Sequence, residues 1–136
     1  MPHLFPIDTR DPRFQPFYTA SEVARITRVT PVKLAYWAKS AVRGLPPLIN
    51  LAGKHGSLSP YSFMNLMEAY VLASLRHEHG LKMSNIRNAV RWLKDRYPNH
   101  PHPLASLALE TDELEVFVRE SEWLVSASKC GQIVFR

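Results

Sequence analysis

The sequence predicts an α+β fold: a winged helix-turn-helix, two further helices, then a small antiparallel β-sheet. Three observations predict it. Two short helical patterns, each with its own start signal, follow one another across residues 18–40. Two longer apolar stripes at helical spacing occupy residues 61–97. Beyond Pro98 the apolar runs shorten and lean toward β-forming residues. The corresponding organisation is an N-terminal arm (1–17), a DNA-binding unit (18–60) and a helical pair with a C-terminal sheet (61–136).

The arm carries Pro2, Pro6, Pro12 and Pro16 with Phe5, Phe14 and Phe17 between them. Proline blocks regular structure, so the aromatics are expected to pack on the chain's own core or on a second subunit. The stretch YTASEVARITRVTPVKLAYWAKS follows. Thr19 and Glu22 have the spacing of a capping box. Val23, Ala24 and Ile26 are expected to form the inward face of the first helix. Thr30-Pro31 restarts the chain as a second helix, because proline at the first position loses no hydrogen bond. Leu34, Ala35 and Trp37 are its expected apolar face. Thr30, Val32, Lys33, Tyr36 and Lys39 are left pointing outward. Two helices of about two turns joined by three or so residues have helix-turn-helix proportions. In that arrangement the outer face of the second helix meets base edges in a major groove. The plainer alternative is a helical hairpin whose lysines form a solvated face.

Residues 48–51 and 57–59 are short β-leaning runs on either side of Ala52-Gly53-Lys54-His55-Gly56. They are expected to form a wing whose tip places Lys54 and His55, with Arg43 nearby, against a phosphate backbone, or else an ordinary surface loop. A third helix starts at Ser59-Pro60 or Ser62 and runs to about His79, with Gly80 as its stop. Phe63, Leu66, Met67, Tyr70, Val71, Ser74 and Leu75 lie on one stripe, read as core in preference to a dimer seam. Ser84 is the expected cap of a fourth helix reaching about Tyr97, with Ile86, Ala89, Val90 and Leu93 inward. Its Arg87, Arg91, Lys94 and Arg96 are read as a solubilising face. Residues 104–109, 115–119, 123–128 and 132–135 are the expected strands of the sheet.

Charge is distributed unevenly. Residues 1–60 hold eight Lys/Arg against three acids, residues 61–97 six against three, and residues 98–136 three against six, for a net charge of +5. The excess of cations therefore sits with the helix pair, where a polyanion would be met. An apolar content of 46% fits a folded chain. No apolar run is long enough to span a membrane, and the N-terminus lacks the signature of a signal peptide. A single cysteine, Cys130, suits a reducing compartment, so a cytoplasmic protein is expected. The chain ends within Ile133-Val134-Phe135-Arg136, which is expected of a paired terminal strand or of a piece cut from a longer protein.

Catalytic and metal signatures are missing. His77 and His79 are two residues apart on a helix and diverge, whereas ligand pairs lie three or four apart. His100 and His102 sit among prolines without a neighbouring ligand set and are read as caps or surface imidazoles. GxSxG, P-loop, GxGxxG and HExxH patterns do not occur. No enzyme, metal or cofactor is expected.

The helix pair resembles the N-terminal helix-turn-helix of MerR-like regulators, Y-T-x-x-E-x-A-x-x-x-G-V-x-x-x-T-L-x-x-W/Y. Tyr18, Thr19, Glu22, Ala24, Val29, Leu34 and Trp37 match it, and Arg28 stands at the usual glycine of the turn. LSPYSFMNLMEAYVLASLRHEHGLKMSNIRNAVRWL, then His102-Pro103-Leu104-Ala105 and Gly131-Gln132, look like VapB-type antitoxins with a MerR-like N-terminal domain. That likeness implies a homodimer that binds its own operator in double-stranded DNA. It also implies a PIN-domain ribonuclease toxin as partner, contacted by a segment beyond this chain or in its sheet. It carries Thr30, Lys33 and Tyr36 over as groove-facing residues, and Arg25, Arg28, Lys39, Arg43 and Lys54 as phosphate contacts. The alternatives are a MerR-like regulator sensing a small ligand, and an adaptor that has lost DNA binding.

Overall fold

A computed structural model describes residues 10–38, 46–54 and 56–109. The described residues build five α-helices: α1 (Ala20–Thr27), α2 (Pro31–Ala38), α3 (Phe63–Ala73), α4 (Met83–Arg96) and α5 (Pro103–Leu109). A one-turn 3-10 segment, Pro12–Phe14, precedes them, and a π-helical turn, Ser74–Glu78, extends α3. α3 lies at the centre, packed against α1, α5 and the Pro12–Phe14 turn, while α4 also packs on α5.

Local chemistry explains the starts. The Glu22 N–H donates to Thr19 Oγ1 at 3.0 Å and the Thr19 N–H donates to Glu22 Oε1 at 2.8 Å, closing the expected capping box. Ser62 and Asn65 close a second box at the start of α3. The two caps are set side by side by an isolated antiparallel bridge. Tyr18 N–H donates to Tyr61 O at 2.8 Å and Tyr61 N–H to Tyr18 O at 3.1 Å. α2 begins with Thr30 Oγ1 accepting from the Lys33 N–H at 3.3 Å. It ends where Trp37 O accepts from the N–H groups of both Leu48 and Ile49.

The core is apolar and continuous across the helices. Val23, Leu34, Trp37, Ile49, Leu72, Leu75, Ile86 and Leu93 are fully enclosed. Phe14 packs with Met64 and Ala105, so this aromatic of the arm lies on the chain's own core; Phe17 remains exposed.

One polar chain crosses this interior. The Asn65 carboxamide oxygen accepts from the N–H groups of Ala52 and Ser62, each at 3.0 Å. Its NH2 donates to Asn50 O and to Glu68 Oε1, each at 2.8 Å. Glu68 Oε1 in turn lies 3.1 Å from His102 Nδ1, with both side chains almost wholly enclosed. Every hydrogen-bonding position of the buried amide is thus used, and loop 50–52, α3 and α5 are tied together.

Several expectations are corrected. The fold is helical among the described residues, with no strand and no sheet, so it is not α+β there. The wing is not formed by strands: residues 46–54 and 56–60 run as bends and turns. Their shape is set by Gly53, whose N–H donates to Pro60 O at 2.8 Å. A Cβ on Gly53 would stand 2.8 Å from the Pro60 Cα, too close for strand pairing with a side chain there. Residues 104–109 form α5 and not a strand. Pro103 supplies a helix-compatible first position, and Leu104, Ala105, Leu107, Ala108 and Leu109 are strong helix formers. The other expected strands, at 115–119, 123–128 and 132–135, lie outside the described residues.

Within helices, Ile26 is 54% exposed, and Thr27 takes the inward place with its hydroxyl donating to Val23 O at 2.7 Å. Ala35 points outward and Tyr70 is half exposed, whereas Met64, Asn65, Glu68 and Leu72 are buried. α3 is thus enclosed on more than one face, which a single stripe does not describe. α4 starts one residue before Ser84, after Lys82, without a side-chain cap. His102 is a buried partner of Glu68 and not a surface imidazole.

Candidate nucleic-acid interface

The outer faces of α1 and α2 present most of the expected site residues. Thr30 and Val32, in the first turn of α2 or capping it, are exposed, Val32 by 82%. Lys33 is partly exposed and Tyr36 is 41% exposed, one turn further along. The face survives because Leu34 and Trp37 take the whole inward load of this short helix. Arg25 and Arg28 are exposed at the end of α1, just before the link. Lys54 is exposed on the loop pinned by Gly53. Lys39 and Arg43 lie outside the described residues, as does His55.

Arg28 has φ 59° and ψ 34°, the left-handed conformation that glycine adopts without steric cost. Its N–H donates to Ala24 O, ending α1, and the Val29 N–H also donates to Ala24 O, at 3.2 Å. The turn therefore has the backbone that a glycine would give it, carried by an arginine. Val29 is buried in the link and anchors it to the core.

Cations of α4 that were expected to form a solubilising face also lie beside α2. The Arg87 guanidinium lies over the Tyr36 ring, 5.5 Å from its centroid, so the outer face of α2 is continuous with α4. Arg87 Nη1 donates to Pro46 O at 3.2 Å, and Lys94 Nζ donates to Pro47 O at 3.3 Å. Burial pushes the Lys94 ammonium below its ordinary pKa, opposed by the nearby Glu68 carboxylate. The available signal was the spacing of Arg87, Arg91 and Lys94 on one side of α4; the proximity of that side to α2 comes from long-range packing alone.

The second histidine pair is tied into local hydrogen bonds. His100 Nδ1 accepts from the His102 N–H at 3.0 Å, which leaves the proton on Nε2 to donate to Ser106 Oγ at 2.8 Å. The imidazole therefore donates its Nε2–H hydrogen bond to this hydroxyl. Burial, and secondarily His102, push the His100 pKa down. Among the described residues no group of three or more His, Cys, Asp or Glu could hold a metal ion. No described helix is long and apolar enough to cross a membrane.

Comparison with known proteins supplies the functional context. No protein-family model matches the chain. Over 116 residues the chain is 36% identical to the Mycobacterium tuberculosis protein named "Putative antitoxin VapB45", covering 79% of this chain and 47% of that protein. The likeness is to an antitoxin. The X-ray crystal structure of Rv2018 from Mycobacterium tuberculosis is also similar, with a TM-score of 0.56 at 33% identity. That match covers 90% of this chain and 50% of that one. The chain thus spans about half the length of the relatives it matches. Neither match bears on the MerR-like helix-turn-helix by name.

Proposed function

We propose that this protein is a DNA-binding antitoxin of a VapBC-like toxin–antitoxin pair, acting in the cytoplasm as a homodimer. It neutralises a PIN-domain ribonuclease toxin and represses its own operon. The reading is carried by the similarity to a protein named as a VapB antitoxin. It is supported by the outward side of α2, where Thr30, Val32 and Tyr36 are exposed and Lys33 partly so, with Arg25 and Arg28 exposed at the end of α1 beside it. On this reading Thr30, Lys33 and Tyr36 meet base edges in the major groove, and Arg25, Arg28, Lys39, Arg43 and Lys54 meet phosphates. No step of this role requires a catalytic residue.

The test has two arms. Titration of the duplex upstream of the gene with the full chain is expected to show salt-dependent, sequence-preferring binding, with Lys33→Ala reducing the preference. Co-expression with the product of the neighbouring gene is expected to relieve that product's toxicity and yield a stable complex. Salt-independent or absent duplex binding would remove the operator role, and failure to neutralise would remove the antitoxin role.

A further inference from the structure

A groove with a cavity of about 220 Å³ runs between Pro46-Pro47 and α4. Arg87, Arg91 and Lys94 line it, with Asp95 as its one acid. The three cations fall at i, i+4 and i+7, so they share one side of α4 over a rise of about 10 Å. A row of that length can meet successive phosphates of one strand. Arg87 and Lys94 are held in place by the Pro46 and Pro47 carbonyls, which leaves further guanidinium and ammonium donors available. Arg87 also joins the groove to the α2 face through Tyr36.

From this placement we propose that the groove is a second phosphate-binding site, in which Arg87, Arg91 and Lys94 take the sugar-phosphate backbone flanking the base pairs met by α2. This rests on the DNA-binding reading above and adds to it a site outside the helix pair. The occupant follows from charge and continuity: three cations line the groove, and one of them, Arg87, also lies over Tyr36 of α2. Asp95 opposes the same occupant, which gives the site a reciprocal test.

The experiment is duplex titration of the full chain by fluorescence anisotropy across a salt series, on the promoter duplex and an unrelated one. Arg91→Ala is exposed and is expected to leave folding intact. It should weaken both duplexes several-fold alike and reduce the salt slope by about one. Asp95→Asn should strengthen both. Lys94→Gln, checked for folding by circular dichroism, should act as Arg91→Ala does. If Arg91→Ala and Asp95→Asn change neither affinity nor slope while Lys33→Ala still blunts sequence preference, the groove proposal fails and the α2 reading stands. If they change capture of the toxin and not of the duplex, the groove is a protein-binding face and the proposal is overturned. If the unaltered chain binds no duplex, both readings fall together.

Discussion

At Arg28 a single residue carries a conflict between backbone and charge. Its φ of 59° places a side chain where the chain pays a steric cost of about 1 kcal/mol or more. Arg28 stands where the resembled pattern has glycine, and the structure gives it a left-handed backbone that glycine adopts without cost. Arg28→Gly is therefore expected to stabilise the fold by about 0.5–1 kcal/mol, the strain relieved being partly offset by the added freedom of glycine in the unfolded chain. A shifted urea midpoint at constant m-value would show it. The same change removes an exposed cation beside α2, so duplex affinity should fall. Stability and binding moving in opposite directions would mark Arg28 as retained for its charge; a loss of stability would refute the strain argument.

The elements divide into those whose starts are local and those whose faces are set by distant packing. The Thr19–Glu22 box and the Thr30-Pro31 restart were legible because each is carried by residues within one helical turn of one another. The inward set of α4 was legible too, since Ile86, Ala89, Val90 and Leu93 face one neighbouring layer. Ile26 was misplaced because α1 is only eight residues long, so one intrahelical bond from Thr27 can turn a polar residue inward. The buried Asn65–Glu68–His102 chain leaves no sequence signal, as its partners lie up to 34 residues apart. Asn65→Asp is expected to cost about 3 kcal/mol or more, because it deletes two donors and sets a carboxylate against Glu68. Thermal or urea unfolding would measure it, and a near-neutral result would show that this chain does not hold loop 50–52 and α5 to α3. His100 adds a pH dependence. Its folded pKa lies below the ordinary 6.5, so below that value the unfolded chain binds more protons than the folded one. Its contribution is therefore full above pH 6.5 and is lost as pH falls through the depressed folded value. The urea midpoint should drop between pH 7.5 and 5, and His100→Gln should flatten that drop.

Among the described residues, charge and core are largely separated: the enclosed polar groups are hydrogen-bonded, and Arg25, Arg28, Arg91 and Arg96 stand exposed outside the core. Such an arrangement lets a surface serve a polyanion without disturbing stability, since exposed substitutions seldom shift folding by more than about 0.5 kcal/mol. The proposed homodimer adds a geometric demand. Two α2 helices related by a two-fold axis must enter major grooves on one side of the duplex, which requires half-sites about one helical turn, 10–10.5 base pairs, apart or a multiple of it. Inserting five base pairs at the centre of the protected operator turns one half-site to the far side of the helix. Binding measured by titration should then collapse to that of a single half-site, and a ten-base-pair insertion should restore part of it. Loss that simply grows with spacer length, without recovery at a full turn, would mean that the two copies do not bind as a rigid symmetric pair.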